Sequence, residues 1–311
     1  MFGFNNYNYE KFQRGQLLKD MTQTRFGDAP GPGDKAPDFT LRSLHGDRVT
    51  LSNFRHSKNV VLTFGSATCP QTAASISGLN ELYDEFSDRD VEFLFVYVRE
   101  AHPGDELHAH RSMKDKVRAA ELFRDEEEVR LDILVDDLNG KVHRKYGSMP
   151  NPTFLIDKSG RIAFRSLASR KDAMGEAIGE LLERQRDRGV EHAVVCGGED
   201  TVVPPLKMML HAHRALERGG GDALRNFRSE MGMPGRMALF GSRVARPVVE
   251  NPGASIATAV AAAGVVTLGF WVGRELRKRR FRNDLPYHMH DLHQRRARTR
   301  GDEDDYEAVG I

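Results

Sequence analysis

Cysteine is nearly absent from this chain: two in 311 residues, Cys69 and Cys196. Two thiols cannot build the disulfide framework of a small secreted domain, so stability must come from a hydrophobic core. Apolar residues make up 39% of the chain and its length allows one large domain or two ordinary ones. Net charge is nearly absent too, at +1, which removes any bulk electrostatic case for nucleic acid. The first ten residues, MFGFNNYNYE, hold no basic start and no apolar stretch, so no secretory signal is expected there. Cysteine usage this sparse points to a reducing compartment or a redox role.

Hydrophobic patterning divides the chain. Residues 1–32 are polar and aromatic and end in Pro30-Gly31-Pro32, an extended lead-in with only a weak helical pattern across Lys11–Thr24. Residues 33–186 alternate strand and helix signals. A hairpin is expected around Leu44–Asp47, buried strands at Val60–Phe64 and Val91–Val98, and a third strand at Leu131–Val135. Ile76, Leu79, Leu82, Tyr83 and Phe86 recur at helical spacing after Pro70. Further helices are expected over Ser112–Val129, Leu138–Tyr146 and Asp172–Arg186, and a second hairpin around Lys158–Gly160. This order implies an α/β fold with a mixed sheet. In 187–250 the pattern predicts a strand over Val190–Cys196 and a helix over Leu206–Arg218, then no clear periodicity. Residues 251–273 carry no charge and are followed by Arg274, Arg277, Lys278, Arg279, Arg280 and Arg282. A bilayer takes ~20 mostly apolar residues to cross, so a transmembrane helix is expected at 251–273, with a charged tail over 274–311. The basic flank places that tail in the cytoplasm, while the lack of a leader favours a cytoplasmic strand-and-helix region, so the orientation stays open.

The chemistry centres on Phe64-Gly65-Ser66-Ala67-Thr68-Cys69-Pro70. Cys69 falls where a buried strand ends and a helix begins, with Pro70 suited to the first helical turn. A thiol at a helix N-terminus meets free N–H groups and the positive end of the helix dipole, so a lowered pKa is expected. The bland alternative is an inert buried cysteine. Thr72 stands where a Cys-x-x-Cys motif would put its second thiol. Oxidised Cys69 must therefore be a sulfenic acid, a mixed disulfide, or a bond to a distant cysteine such as Cys196. Carboxyl ends of adjacent parallel strands line one crevice, which brings Glu100 and His102 toward Cys69. No metal or cofactor is expected: His102, His108 and His110 lack a cysteine partner and share no helix face.

The segment Phe64–Pro70, then Val96-Tyr97-Val98-Arg99-Glu100-Ala101-His102-Pro103-Gly104-Asp105, resemble the two signature segments of the iodothyronine deiodinase family. The run from His110 to Val117 with Ala119-Ala120 resembles a third, and Lys145-Tyr146-Gly147 a fourth. The resemblance implies a thioredoxin-like redoxin fold across 33–186, with cysteine where that family has selenocysteine. It implies a nucleophile assisted by Ser66, Tyr97, Glu100, His102 and His110, with Thr68, Pro70 and Pro152 adjacent. Asn151-Pro152-Thr153 looks like the Pro-Thr of ordinary redoxins, whose proline is commonly cis and faces the thiol. The family's Glu is replaced at Asn151, and Glu106 stands where an aromatic residue is usual after Gly-Asp. In the peroxiredoxin pattern Ser66 fits, but Leu62 replaces the upstream proline.

The expected activity is a deiodinase-like thiol oxidoreductase. Cys69 attacks a halogenated or peroxide electrophile of small-molecule size and is recycled by an external thiol reductant. Alternatives are a peroxiredoxin-like hydroperoxide peroxidase and a non-catalytic, membrane-tethered redoxin scaffold. Membrane association through 251–273 and a homodimer are compatible with the chain.

Overall fold

The computed structural model describes residues 7–26, 29–195 and 205–250. In chain order, helix α1 (Arg14–Phe26) precedes strands β1 (Thr40–Ser43) and β2 (Arg48–Thr50). Strand β3 (Asn59–Gly65) leads into α2 (Pro70–Phe86), and β4 (Val91–Tyr97) into α3 (Met113–Glu127). Strand β5 (Asp132–Val135) and the short α4 (Lys141–Lys145) follow, then β6 (Thr153–Ile156), β7 (Ile162–Ser166) and α5 (Lys171–Arg188). Helices α6 (Pro205–Arg218) and α7 (Gly221–Glu250) end the described chain.

The strands form one sheet in the order β2-β1-β5-β4-β3-β6-β7. Strands β3, β4 and β5 are parallel neighbours, and β1, β2, β6 and β7 pair antiparallel at the flanks. Side chains alternate across a pleated strand, and here both sets are apolar. Val91, Phe93, Phe95 and Tyr97 join one core with Leu79 of α2, Phe123 of α3 and Ile178 of α5. Leu94 and Val96 join Leu62, Phe64 and Phe154 in a second core, closed by Phe39, Val142 and Tyr146. Each large apolar side chain buried this way contributes about 1.5–3 kcal/mol. Ser112 caps α3 by accepting the Asp115 N–H at 3.1 Å, as its residue type favours.

Three expectations are corrected. The lead-in over residues 1–32 is not wholly extended, because α1 occupies Arg14–Phe26. Its weak local propensity is overridden by tertiary anchoring: the Asp20 carboxylate pairs with buried Arg99. Residues 190–195 are not a strand, although the Val195 N–H donates to Ala163 O at 3.0 Å beside β7. Residues 221–250 are helical where no periodicity was legible. The helix is broken at Gly232, at φ 60° and ψ −141°, a conformation open to glycine. Leu216 and Leu239 pack α6 against α7, and Met208 of α6 rests on Ala74 of α2. Among the described residues no helix is long and apolar enough to cross a membrane. The transmembrane helix expected at 251–273 lies outside them.

Candidate active site

The parallel pair β3–β4 ends with Gly65 opposite Tyr97, so the chain segments that follow leave the sheet side by side. Gly65 permits the next step. A Cβ there would lie 2.6 Å from Phe95 Cζ and 2.7 Å from the Thr72 side chain, so only glycine lets α2 start this close to β4. Cys69 is the N-cap of α2, extended at φ −89° and ψ 116°, with Pro70 at the first helical position. Its N–H donates to Ser66 O at 3.3 Å, and its carbonyl accepts the Ala73 N–H at 3.0 Å.

The thiol is only 2% exposed. Burial pushes its pKa up, against the pull of the Thr72 hydroxyl and the Thr72 and Gln71 amides, and the net shift is upward. This corrects the lowered value expected from the helix terminus. The donors are present, but desolvation of a buried thiolate outweighs them.

Glu100 is the hub of the site. It is buried, and its Oε2 accepts the Thr68 N–H at 3.0 Å and the Thr68 hydroxyl at 2.7 Å. Its Oε1 accepts the Tyr97 hydroxyl and lies 3.3 Å from His110 Nε2. Burial alone would raise the Glu100 carboxyl, but His110, Tyr97 and Thr68 together bring it below the usual range. Tyr97 moves the other way, raised well above an ordinary phenol by burial and by the Glu100 charge. Its hydroxyl oxygen also accepts the Ala67 N–H at 3.2 Å. Ser66 Oγ accepts the Ala101 N–H at 3.2 Å, and Thr68 Oγ1 accepts the His102 N–H at 3.0 Å. Four of the expected residues, Ser66, Thr68, Tyr97 and Glu100, thus stitch the Cys69 loop to the end of β4 and the segment after it, while His110 stands beside the Glu100 carboxylate.

His102 is placed differently from the other candidates. Its backbone joins the network, but its ring is 4.3 Å from Phe12 and 5.3 Å from Phe227, centroid to centroid. Burial lowers its pKa to about 3, and its Nδ1 has no hydrogen-bond partner. His102 is therefore neutral at ordinary pH, and His110 is the histidine in contact with the carboxylate. Pro152 accepts the Phe64 N–H at 3.1 Å. Its peptide bond is trans, since no described peptide bond is cis, contrary to the expectation for an ordinary redoxin. Asn151 ties the base of the site together: its Nδ2 donates to Phe64 O at 3.0 Å, and its Oδ1 accepts the Ser75 hydroxyl at 3.1 Å. Cys196 lies outside the described residues.

Both flanking segments reach this edge of the sheet. The Tyr7 hydroxyl donates to His143 Nδ1 at 2.8 Å, since His143 Nε2 faces Met149 O. The Tyr9 hydroxyl donates to Ala101 O at 3.0 Å. The Arg99 guanidinium lies 4.8 Å and 5.0 Å from the Tyr7 and Tyr9 ring centroids and donates to Asp20. From the other side, Phe227 of α7 meets His102, and the Glu106 N–H donates to Gly219 O at 3.2 Å. Sequence reasoning missed Phe12, Asp20, Arg99 and Phe227. Only Arg99 carried a signal, lying inside a signature segment.

Residues 32–165 match the AhpC/TSA family. The chain is 26% identical over 185 residues to the type I iodothyronine deiodinase of Xenopus laevis, covering 57% of this chain and 71% of that protein. It is 30% identical over 160 residues to the thyroxine 5-deiodinase of Ovis aries, covering 49% and 52%. It is 28% identical over 152 residues to the thiol-disulfide oxidoreductase ResA of Bacillus cereus, covering 49% and 74%. The chain spans about half the length of the mammalian deiodinases it matches. Among solved structures, a putative thiol:disulfide interchange protein DsbE from Chlorobium tepidum aligns at 24% identity and a TM-score of 0.41, covering 50% of this chain and 99% of that one. The redoxin domain has the thioredoxin-like α/β fold that the signature segments implied. Helices α5, α6 and α7 lie beyond the matched residues.

Proposed function

We propose that this chain is a thiol-dependent oxidoreductase in which Cys69 attacks the halogen of a small organic halide. The observation that carries this reading is the Glu100 hub, which holds the Cys69 loop through Thr68 and gathers Tyr97 and His110 around one carboxylate. The Cys69 sulfur bonds to the halogen as the carbon–halogen bond breaks. The carbon keeps the bonding pair and takes a proton from the Tyr97–Glu100–His110 group. Sulfur is thereby oxidised by two electrons to a sulfenyl halide. An external thiol expels halide and forms a mixed disulfide, and a second thiol takes the disulfide and returns Cys69 to its reduced state. Thr72 offers no sulfur to shorten this cycle. Because burial holds the resting thiol protonated, its deprotonation accompanies attack.

A second reading is hydroperoxide reduction, favoured by the AhpC/TSA match. There Cys69 attacks a peroxide oxygen, the O–O bond breaks, and sulfenic acid and an alcohol result, with the same thiols resetting the site. Leu62 at the usual proline position counts against it. Membrane attachment through 251–273 belongs to the same proposal, and fractionation with and without 251–311 tests it.

The deciding experiment measures halide release from an iodinated phenol and peroxide consumption side by side, with dithiothreitol as reductant. Halide release lost in Cys69→Ser is the expected result. Peroxide turnover alone selects the second reading, and activity retained in Cys69→Ser overturns both.

A further inference from the structure

Arg218 is the last residue of α6, outside the residues matched to the family, yet it reaches the nucleophile loop. It is only 8% exposed. Its Nε donates to Glu126 Oε2 at 2.5 Å and its Nη2 to Glu127 Oε1, both at the end of α3. Those two carboxylates fix the planar guanidinium and aim its remaining edge, so that Nη1 donates to Ala67 O at 3.1 Å.

The peptide that Arg218 grips is already held on its other side. The N–H of the Ala67–Thr68 peptide donates to Glu100, and the preceding N–H, that of Ala67, donates to the Tyr97 hydroxyl. Three consecutive backbone polar groups, two residues before Cys69, are thus each bound by a side chain. One peptide lies between a cation at its oxygen and an anion at its N–H. Bonds chained through one polar group polarise and strengthen each other.

We propose that Arg218 is a positioning residue for Cys69, coupled to Glu100 through the Ala67–Thr68 peptide, and that α6 thereby completes the site. This rests on Cys69 being the nucleophile. Pairing with Glu126 and Glu127 alone would serve to pack α6 on α3; the third bond is the one that acts on the loop.

The test is a double-mutant cycle on the full chain. It reads the rate of Cys69 alkylation by iodoacetamide, followed by mass spectrometry of the Cys69 peptide. Arg218→Met removes the donor at this peptide's oxygen and Glu100→Gln removes the charge at its N–H, and each accelerates alkylation of the buried thiol at least fivefold. The double variant falls at least threefold short of the product of the two accelerations. Multiplicative effects, or an unchanged rate in Arg218→Met, overturn the proposal. Arg218→Lys keeps a cation within reach of the carbonyl but cannot serve both glutamates, and its rate stays within twofold of the parent. A role confined to packing predicts that lysine accelerates alkylation as much as methionine does, and that result also overturns the proposal. Alkylation reads the thiol alone. Coupling without Cys69-dependent turnover would therefore reject the proposed function and leave Arg218 as a positioning residue.

Discussion

Replacing His102 with phenylalanine separates acid stability from chemistry. The imidazole sits between Phe12 and Phe227, and burial lowers its pKa from 6.5 to about 3. A depressed histidine pKa means that the unfolded chain takes up a proton that the folded chain refuses. Stability is therefore unaffected above pH 6.5 and falls as pH drops from 6.5 toward 3. Once the unfolded state is protonated and the folded state is not, each pH unit removes about 1.4 kcal/mol. From pH 6 to pH 4 the parent should lose about 2.5 kcal/mol more than His102→Phe, since other titrating groups cancel in the difference. At pH 7 the variant should equal or exceed the parent, because it removes an unpartnered buried nitrogen whose burial costs about 1–3 kcal/mol. Urea unfolding at pH 7, 6, 5 and 4 measures both. Curves that stay parallel within about 0.5 kcal/mol, the spread of neutral surface changes, would mean that His102 titrates normally, and the neutral role given to it here would be wrong.

Two further substitutions probe the frame around the site. Asp20→Asn removes the carboxylate from buried Arg99; breaking such a pair costs about 3–5 kcal/mol, read as a lower urea midpoint. Arg99 also donates to Tyr7 O at 3.1 Å and Ser148 O at 3.5 Å, and an unchanged midpoint would show that these carbonyls and the Tyr7 and Tyr9 rings satisfy it unaided. Gly65→Ala forces a methyl against Phe95 and Thr72, and overpacking of this kind costs about 1–3 kcal/mol. Thermal unfolding checks it, and a neutral result would refute the tight approach of α2 to β4.

The central strands were legible because their signal is local. Val60–Phe64 and Val91–Val98 are near-continuous apolar runs, interrupted only at Thr63 and Glu92, as a strand covered on both faces requires. Cys69 was legible as a helix start because Pro70 marks the first turn. The pKa of that thiol was not, because the helix terminus can be read from neighbours in sequence while desolvation comes from residues far away. Helix α7 was missed because Met, Gly and Pro blur its period, and packing on Leu216 rather than propensity holds it. Arg218, Asp20 and Phe12 were missed because each acts on a residue more than 75 positions away, and no spacing rule reaches that far. Glu100, Tyr97 and His110 were found through their signature segments, and the sheet explains why they meet: two parallel strands end together.

The family match stops at residue 165 and begins at 32, but the side chains that hold the Cys69 loop and the segment after β4 do not respect those limits. Phe12 and Asp20 come from before the match, and Arg218 and Phe227 from after it. A fragment cut to the matched borders would keep the sheet, Cys69 and Glu100. It would also leave the Arg99 guanidinium without its carboxylate, the His102 ring without its cage, and the Ala67 carbonyl without its donor. The matched unit and the unit that frames the site are therefore different lengths of the same chain. Results obtained on the shorter one would describe the matched scaffold without the contacts that frame this site.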